Sequence, residues 1–196
     1  MMRSMTERRR AKIEKVLGQR QKDLTLVLDN IHDPHNVSAI YRSCDAFGVA
    51  GVHLYYTHAP FPALSKKTSA SARKWVETLR HGSREELMQT LRDGKFQVLA
   101  TSCSPEAKPV SDYDFTVPTA IIMGNEHAGV SPELLPLVDG EVYIPMYGMI
   151  QSFNVSVAAA LMLSEASRQR KLAGMYDHMT WTPEEYSERL ADWLER

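Results

Sequence analysis

Short β-branched and leucine-rich runs alternate along the chain with stretches whose apolar positions recur every three or four residues. Leu24–Leu28, Val52–Tyr56, Trp75–Leu79, Phe96–Thr101, Thr119–Met123 and Gly140–Ile144 have the length and composition of buried strands. Val37, Ile40, Tyr41, Cys44 and Phe47 keep helical spacing, and Gly48 stands where a left-handed cap ends a helix. Ser83–Arg92 is a second helical stretch, and Ser131-Pro-Glu reads as the capped start of another. Strands alternating with helices predict an α/β fold, a mostly parallel sheet with helices on both faces.

The stretch from Ile144 to Ala160 organises this pattern. Pro145 and Gly148 bracket a short loop, and Ser152 and Asn154 then open a run so apolar and alanine-rich that it reads as a buried helix. Its small residues, Ala158, Ala159 and Ala160, allow another backbone to pack closely. The free N–H groups of its first turn suit a small anionic or zwitterionic ligand, although a capped core helix needs no ligand at all. Other strand ends carry similar loops. Asn30, His32, His35 and Asn36 follow the first strand, Ser102, Cys103 and Ser104 follow Thr101, and Gly124 to Gly129 follow Met123. In a parallel sheet such ends share one edge, so they imply one pocket.

Several familiar chemistries do not fit. Gly124 and Gly129 have Walker-like spacing but no Lys-Ser/Thr follows, and no G-x-G-x-x-G stands after the first strand. His32 and His35 form H-x-x-H without the carboxylate or cysteine set that a metal site needs, so no metal is expected. Ser152 lacks the nucleophile elbow of a hydrolase.

Composition changes the picture at the ends. In 196 residues the formal charge is −1, yet residues 1–22 hold Arg3, Arg8, Arg9, Arg10, Lys12, Lys15, Arg20 and Lys22 against only Glu7 and Glu14, whereas residues 173–196 are acidic. Thr6–Leu17 reads as a helix capped by Thr6, with Ile13, Val16 and Leu17 as its narrow apolar edge. Its basic face is either an RNA-gripping arm or a solvated helix surface. Cys44 and Cys103 lack partner spacing and read as reduced thiols, and the apolar run Val157–Leu163 is far short of a membrane span. A soluble, cytoplasmic protein that contacts no membrane is expected.

Three segments in order, Asn30–Gly48, Met123–Gly129 and Ile144–Ala160, resemble the knotted SPOUT methyltransferases, and within them the tRNA (guanosine-18-2′-O)-methyltransferases of the TrmH type. The likeness extends from the basic N-terminal helix through Arg168-Gln-Arg170 to Ala191-Asp-Trp-Leu194. It implies a basic helical extension over 1–22, a catalytic domain over 23–173 whose C-terminal part forms a deep trefoil knot, and a helical extension over 174–196. It also implies S-adenosylmethionine as methyl donor, S-adenosylhomocysteine as product, no metal, and a homodimer whose active site is shared between subunits. Carried over by position, Asn36 and Arg42 match the family's first motif, Glu126 the second, and Ser152 and Asn154 the third. Thr101, Ser102, Gly124, Glu126, Ile144, Met146, Met149, Ser152 and Asn154 fall in the cofactor-binding loops, with backbone groups of Ile144 and Met149 expected around adenine. Arg8, Arg9, Arg10, Lys12, Arg20, Arg168 and Arg170 fall where the family grips tRNA; Lys12 replaces an arginine common in relatives, which removes bidentate phosphate contact but not charge.

The implied chemistry constrains Arg42. Transfer to a ribose 2′-hydroxyl requires in-line placement and loss of a proton from a weak acid. Arg42 either acts as the base in dry, cationic surroundings or stays charged and stabilises the alkoxide. Asn154 serves equally as a helix cap, and Glu126 as a carboxylate stabilised at a helix N-terminus. The competing expectations are a ribosomal RNA or other-position tRNA methyltransferase, and a SPOUT-fold RNA-binding protein without catalysis.

Overall fold

A computed structural model describes residues 6–58, 60–62 and 72–196. Its centre is a parallel sheet built from β1 (Leu24–Asp29), β2 (Gly51–Tyr55), β3 (Glu77–His81), β4 (Gln97–Thr101), β5 (Lys108–Pro109), β6 (Thr119–Met123) and β7 (Gly140–Tyr143). The spatial order is β3-β2-β1-β6-β4-β7-β5. β1 and β6 lie in the middle and are buried over their whole length, so both read as continuous apolar runs rather than alternating ones. Leu26 lies opposite Val52 on one side and Ile121 on the other.

The two faces separate by the strand period of two. Leu24, Leu26 and Leu28 join a core with Val37, Ile40 and Cys44 of α2 (Pro34–Ala46) and with Ala159, Met162 and Leu163 of α4 (Val155–Leu172). The small Ala159 is fully buried where these two helices share that core. Val27 points the other way, into a core with Leu87, Met88 and Leu91 of α3 (Arg84–Asp93) and with Val130 and Leu134. Each such leucine removed from water contributes about 1.5–3 kcal/mol. Side-chain caps set the helix starts: Asp33 for α2, Ser83 for α3 and Asn154 for α4 each accept a backbone N–H of the first turn.

The two ends of the chain form a third layer together. α1 (Glu7–Gly18) and α5 (Pro183–Glu195) bury Ile13, Leu17, Trp181 and Trp193 in a small core of their own. Thr182 and Glu185 close a reciprocal capping box at the start of α5, and Thr6 caps α1.

Four expectations are corrected. The strand placed at Trp75–Leu79 runs over Glu77–His81; Trp75 instead packs edge-on against Trp193, at 4.9 Å between ring centroids. No α-helix starts at Ser131, because its N–H and hydroxyl are both given to Asp29, at 2.6 and 2.7 Å, and only a one-turn 3₁₀ helix, Leu135–Leu137, follows. Arg20 and Arg170, expected on tRNA, are completely buried. Arg20 pairs with Asp45 and donates to the carbonyls of Asp45 and Val49, while Arg170 pairs with Asp23 and donates to the carbonyls of Phe115, Asp23 and Val117. Five guanidinium donors suit them to collecting carbonyls at the seams between elements. The stretches expected to be irregular over 58–67 and small over 68–72 lie mostly outside the described residues.

Arg170→Met is expected to destabilise the protein by roughly 3 kcal/mol, since it leaves Asp23 and several carbonyls without a partner; denaturant unfolding measures this. A second expectation concerns pH. His53 and His81 face each other across β2 and β3, with Nδ1 of one 2.9 Å from Nε2 of the other, and both are buried. Burial, then the neighbouring ring, lowers the pKa of His53 to about 4; burial lowers that of His81 despite Glu86 beside it. Both rings are therefore neutral when folded, and the unfolded chain binds the extra protons. Their stabilisation is complete above about pH 6.5 and is lost as pH falls toward 4. Thermal melting between pH 7 and 4.5 is expected to show this loss, and His53→Gln to flatten it.

Candidate active site

Parallel strands place every carboxyl end on one edge, and the loops after β4, β6 and β7 meet there around a cavity of about 510 Å³. Its walls combine Met123, Ile144, Met146, Phe153 and Met162 with the polar Thr101, Ser102, Asn125, Gln151 and Ser152. The volume lies inside the ~300–1,000 Å³ of small-molecule sites, and so does the mixture of apolar walls with a few polar groups.

The loops are tied by side chains distant in sequence. Asn36, in the first turn of α2, donates from Nδ2 to Glu126 Oε1 at 2.9 Å and accepts at Oδ1 from Asn154 Nδ2 at 3.1 Å. Glu126, on the loop after β6, also accepts the backbone N–H groups of His32 and Asp33, at 3.0 and 3.3 Å. Asn154 in turn caps α4, its Oδ1 accepting the N–H of Ser156 at 2.8 Å. Burial pushes the Glu126 carboxyl up, but the donors from Asn36, His32 and Asp33 outweigh it and hold the group below the ordinary carboxylate range. Glu126 is thus an anion that clamps the start of α2, and Asn36 is consumed on both sides by the clamp.

Beneath this network the loop after β6 is held from the central strand. Asp29, at the end of β1, accepts Ser131 N–H, Ser131 hydroxyl and Asn30 Nδ2. Burial raises its pKa although these bonds oppose the rise. Asn30 has a positive φ of 48°, which its side chain supports by accepting the N–H groups of Thr57 and His58, while its carbonyl accepts Asn125 Nδ2 at 2.7 Å. Gly124 follows from the same closeness: a Cβ there would lie 2.3 Å from the Gly129 carbonyl carbon.

Of the residues picked out by sequence, Thr101, Ser102, Gly124, Glu126, Ile144, Met146, Ser152 and Asn154 line this cavity, and Asn36 joins it through hydrogen bonds. Met149 does not line it; its side chain is 99% exposed. Arg42 is exposed on α2 and is not among the lining residues. Sequence reading missed Asn125, Gln151, Phe153 and Met162 as lining residues, and Asp29 as support. Asn125 sits beside Glu126 in a glycine-bounded loop, which was a usable signal; Met162 looks like any core methionine. Among the described residues no cluster of three or more His, Cys, Asp or Glu side chains is placed to hold a metal.

Strand-end loops enclosing one mixed cavity beside a helix N-terminus define a ligand-binding α/β protein. The chain belongs to the SpoU rRNA Methylase family, whose model matches residues 23–164. It is 47% identical over 195 residues, covering the whole of both chains, to the tRNA (guanosine(18)-2′-O)-methyltransferase of Thermus thermophilus. Its structure superposes with a TM-score of 0.89 on the Aquifex aeolicus TrmH/SpoU tRNA modifying enzyme, at 38% identity over 96% of each chain. A further match, at TM-score 0.70 and 31% identity, covers 78% of this chain and 62% of AviRb from Streptomyces viridochromogenes, a SpoU methyltransferase in complex with AdoMet.

Asp29→Asn turns an amide donor toward groups that already donate, leaving one buried N–H without an acceptor. A loss of about 1–3 kcal/mol is expected, with a smaller loss for Ser131→Ala; both are read by denaturant unfolding at pH 7.

Proposed function

We propose that this chain is a tRNA ribose 2′-O-methyltransferase that transfers the methyl group of S-adenosylmethionine to the 2′-hydroxyl of guanosine 18 in the D-loop. The observation that carries the reading is the cavity of loops bound together by Glu126, Asn36 and Asn154, in a chain nearly half identical to a guanosine-18 enzyme over its full length. The donor set fits the cofactor: Met123, Ile144, Met146, Phe153 and Met162 offer apolar walls for a purine, and Thr101, Ser102, Gln151 and Ser152 offer polar partners for a ribose and an amino-acid end. When bound, S-adenosylmethionine would supply a sulfonium methyl, whose leaving group, a neutral thioether, needs no metal assistance.

The chain's own residues then orient and exclude. Glu126 and Asn36 hold the start of α2, the helix that carries Arg42 two turns further on. The guanidinium of Arg42 stabilises the developing 2′-alkoxide while water or an RNA phosphate takes the proton. The side chain is exposed in the single chain and lines no part of its own cavity, which supports a homodimer in which Arg42 of one protomer completes the site of its partner. Val157 and Leu161 on α4, with Met149 and Ile150 on the preceding loop, are exposed apolar groups of the kind such an interface covers. The strand order supports a trefoil knot as the frame of the site: β6 is inserted between β1 and β4, while the chain after β7 returns beneath the sheet as α4 and reaches Asp23 through Arg170. Of the cations expected on tRNA, Arg8, Arg9, Arg10, Lys12 and Arg168 are the exposed ones.

The test is transfer of label from [methyl-³H]-S-adenosylmethionine to an unmodified tRNA transcript, followed by mass mapping of the product nucleoside. Label on the ribose of guanosine 18 is expected, and label on a base or on ribosomal RNA alone would overturn the reading. Arg42→Ala is expected to lower the transfer rate by about 10²–10³-fold with cofactor affinity, measured by calorimetry, within threefold of wild type.

A further inference from the structure

Away from the strand ends, the layer formed by the two chain ends carries a second kind of surface. Trp75 is half-buried, directly after the one-turn 3₁₀ helix Ala72–Lys74, and makes an edge contact with Trp193 of α5 at 63° between ring planes. Trp75, Trp193 and Arg196 are shared by two adjoining clefts of about 460 and 420 Å³. The first is rimmed by Arg9 and Lys12 of α1 and by Lys74, whereas the second sets Arg189, paired with Glu77, beside Glu188 and Asp192, so only the first is a basic cleft. Arg9, Lys12 and Lys74 form no ion pair among the described residues, and the acid that lines the first cleft with them, Asp45, is already paired with the buried Arg20. Neither cleft shares a lining residue with the strand-end cavity, so whatever enters contributes binding and not chemistry.

An aromatic ring inside a rim of unpaired cations is the combination that takes a base and its phosphates together. The ring stacks on any base, and each cation releases a counterion from the backbone. An acidic peptide would satisfy the cations and leave the indole without a planar partner. We propose that the first of these clefts is a nucleotide subsite for the substrate RNA, with one unpaired base against Trp75 and its flanking phosphates against Arg9, Lys12 and Lys74. The inference rests on the tRNA-methyltransferase reading and adds to it where on the molecule the RNA is held beyond the reacting ribose.

The full-length protein, an unmodified tRNA transcript and S-adenosylmethionine suffice for the test. Trp75→Ala and Lys74→Glu are each expected to raise KM for tRNA on the order of tenfold and to leave kcat at saturating tRNA and the calorimetric Kd for S-adenosylmethionine unchanged. Lys74→Ala is expected to reduce the salt slope of filter-binding affinity by about one, and Trp75→Phe to restore KM to within about threefold of wild type because a ring remains. Lys74→Glu guards against Trp75→Ala failing to fold, since its side chain is exposed. Wild-type KM and salt slope in these variants, with methylation intact, would overturn the subsite and leave the methyltransferase standing. Filter binding that depends on Trp75 in a protein that transfers no methyl would do the reverse.

Discussion

The amide of Asn36 joins parts of the chain that are far apart in sequence. One end donates to Glu126 on the loop after β6, and the other accepts from Asn154 at the cap of α4. Because Glu126 also takes two backbone N–H groups at the entry to α2, three segments share one hydrogen-bonded unit. Each contact alone is worth only about 1 kcal/mol. Their value lies in geometry: with them in place, the cavity wall and the helix that carries Arg42 cannot move independently. The burial of Asp29 below the same loop adds a second anchor, fixed to a strand buried over its whole length. A site held this way is preorganised by its scaffold and not by its ligand.

The arginines divide the molecule in an instructive way. Arg20 and Arg170 have the same chemistry as Arg8, Arg9 and Arg168 but the opposite surroundings. A guanidinium is the one cation whose planar donors can satisfy several carbonyls at once, so it is also the one that survives burial where elements meet. Arg170 binds the end of α4 to the chain just before β1, which fastens the C-terminal part of the domain to its beginning. Positive charge in a sequence therefore marks two populations, one structural and one facing solvent. Only the second is available to a polyanion.

Much of the fold was legible. The central strand runs are apolar because β1 and β6 are covered on both faces, the caps at Thr6 and Asn154 announced their helices, and Gly48 ended α2 with the expected positive φ of 76°. The strand-end loops were rightly grouped, since parallel strands leave their carboxyl ends no other place to be. Ser131 misled because a serine before Pro-Glu looks like a cap; a carboxylate 102 residues away took its hydroxyl instead. Trp75 misled because a β-prone aromatic residue was counted into a strand, whereas its ring pairs with one from the far end of the chain.

By itself, then, the amino-acid order determined local propensity and periodicity: which segments are strands, where helices begin and end, and which polar residues stand at strand ends. Those properties depend on neighbours within a turn or a pleat. The tertiary structure decided which of the polar residues share a hydrogen bond, which arginines are sealed inside, and which side of the molecule gathers indole rings and exposed cations. These are set by approach between residues up to 172 positions apart, as between Glu14 and Tyr186, and no local pattern encodes such a distance.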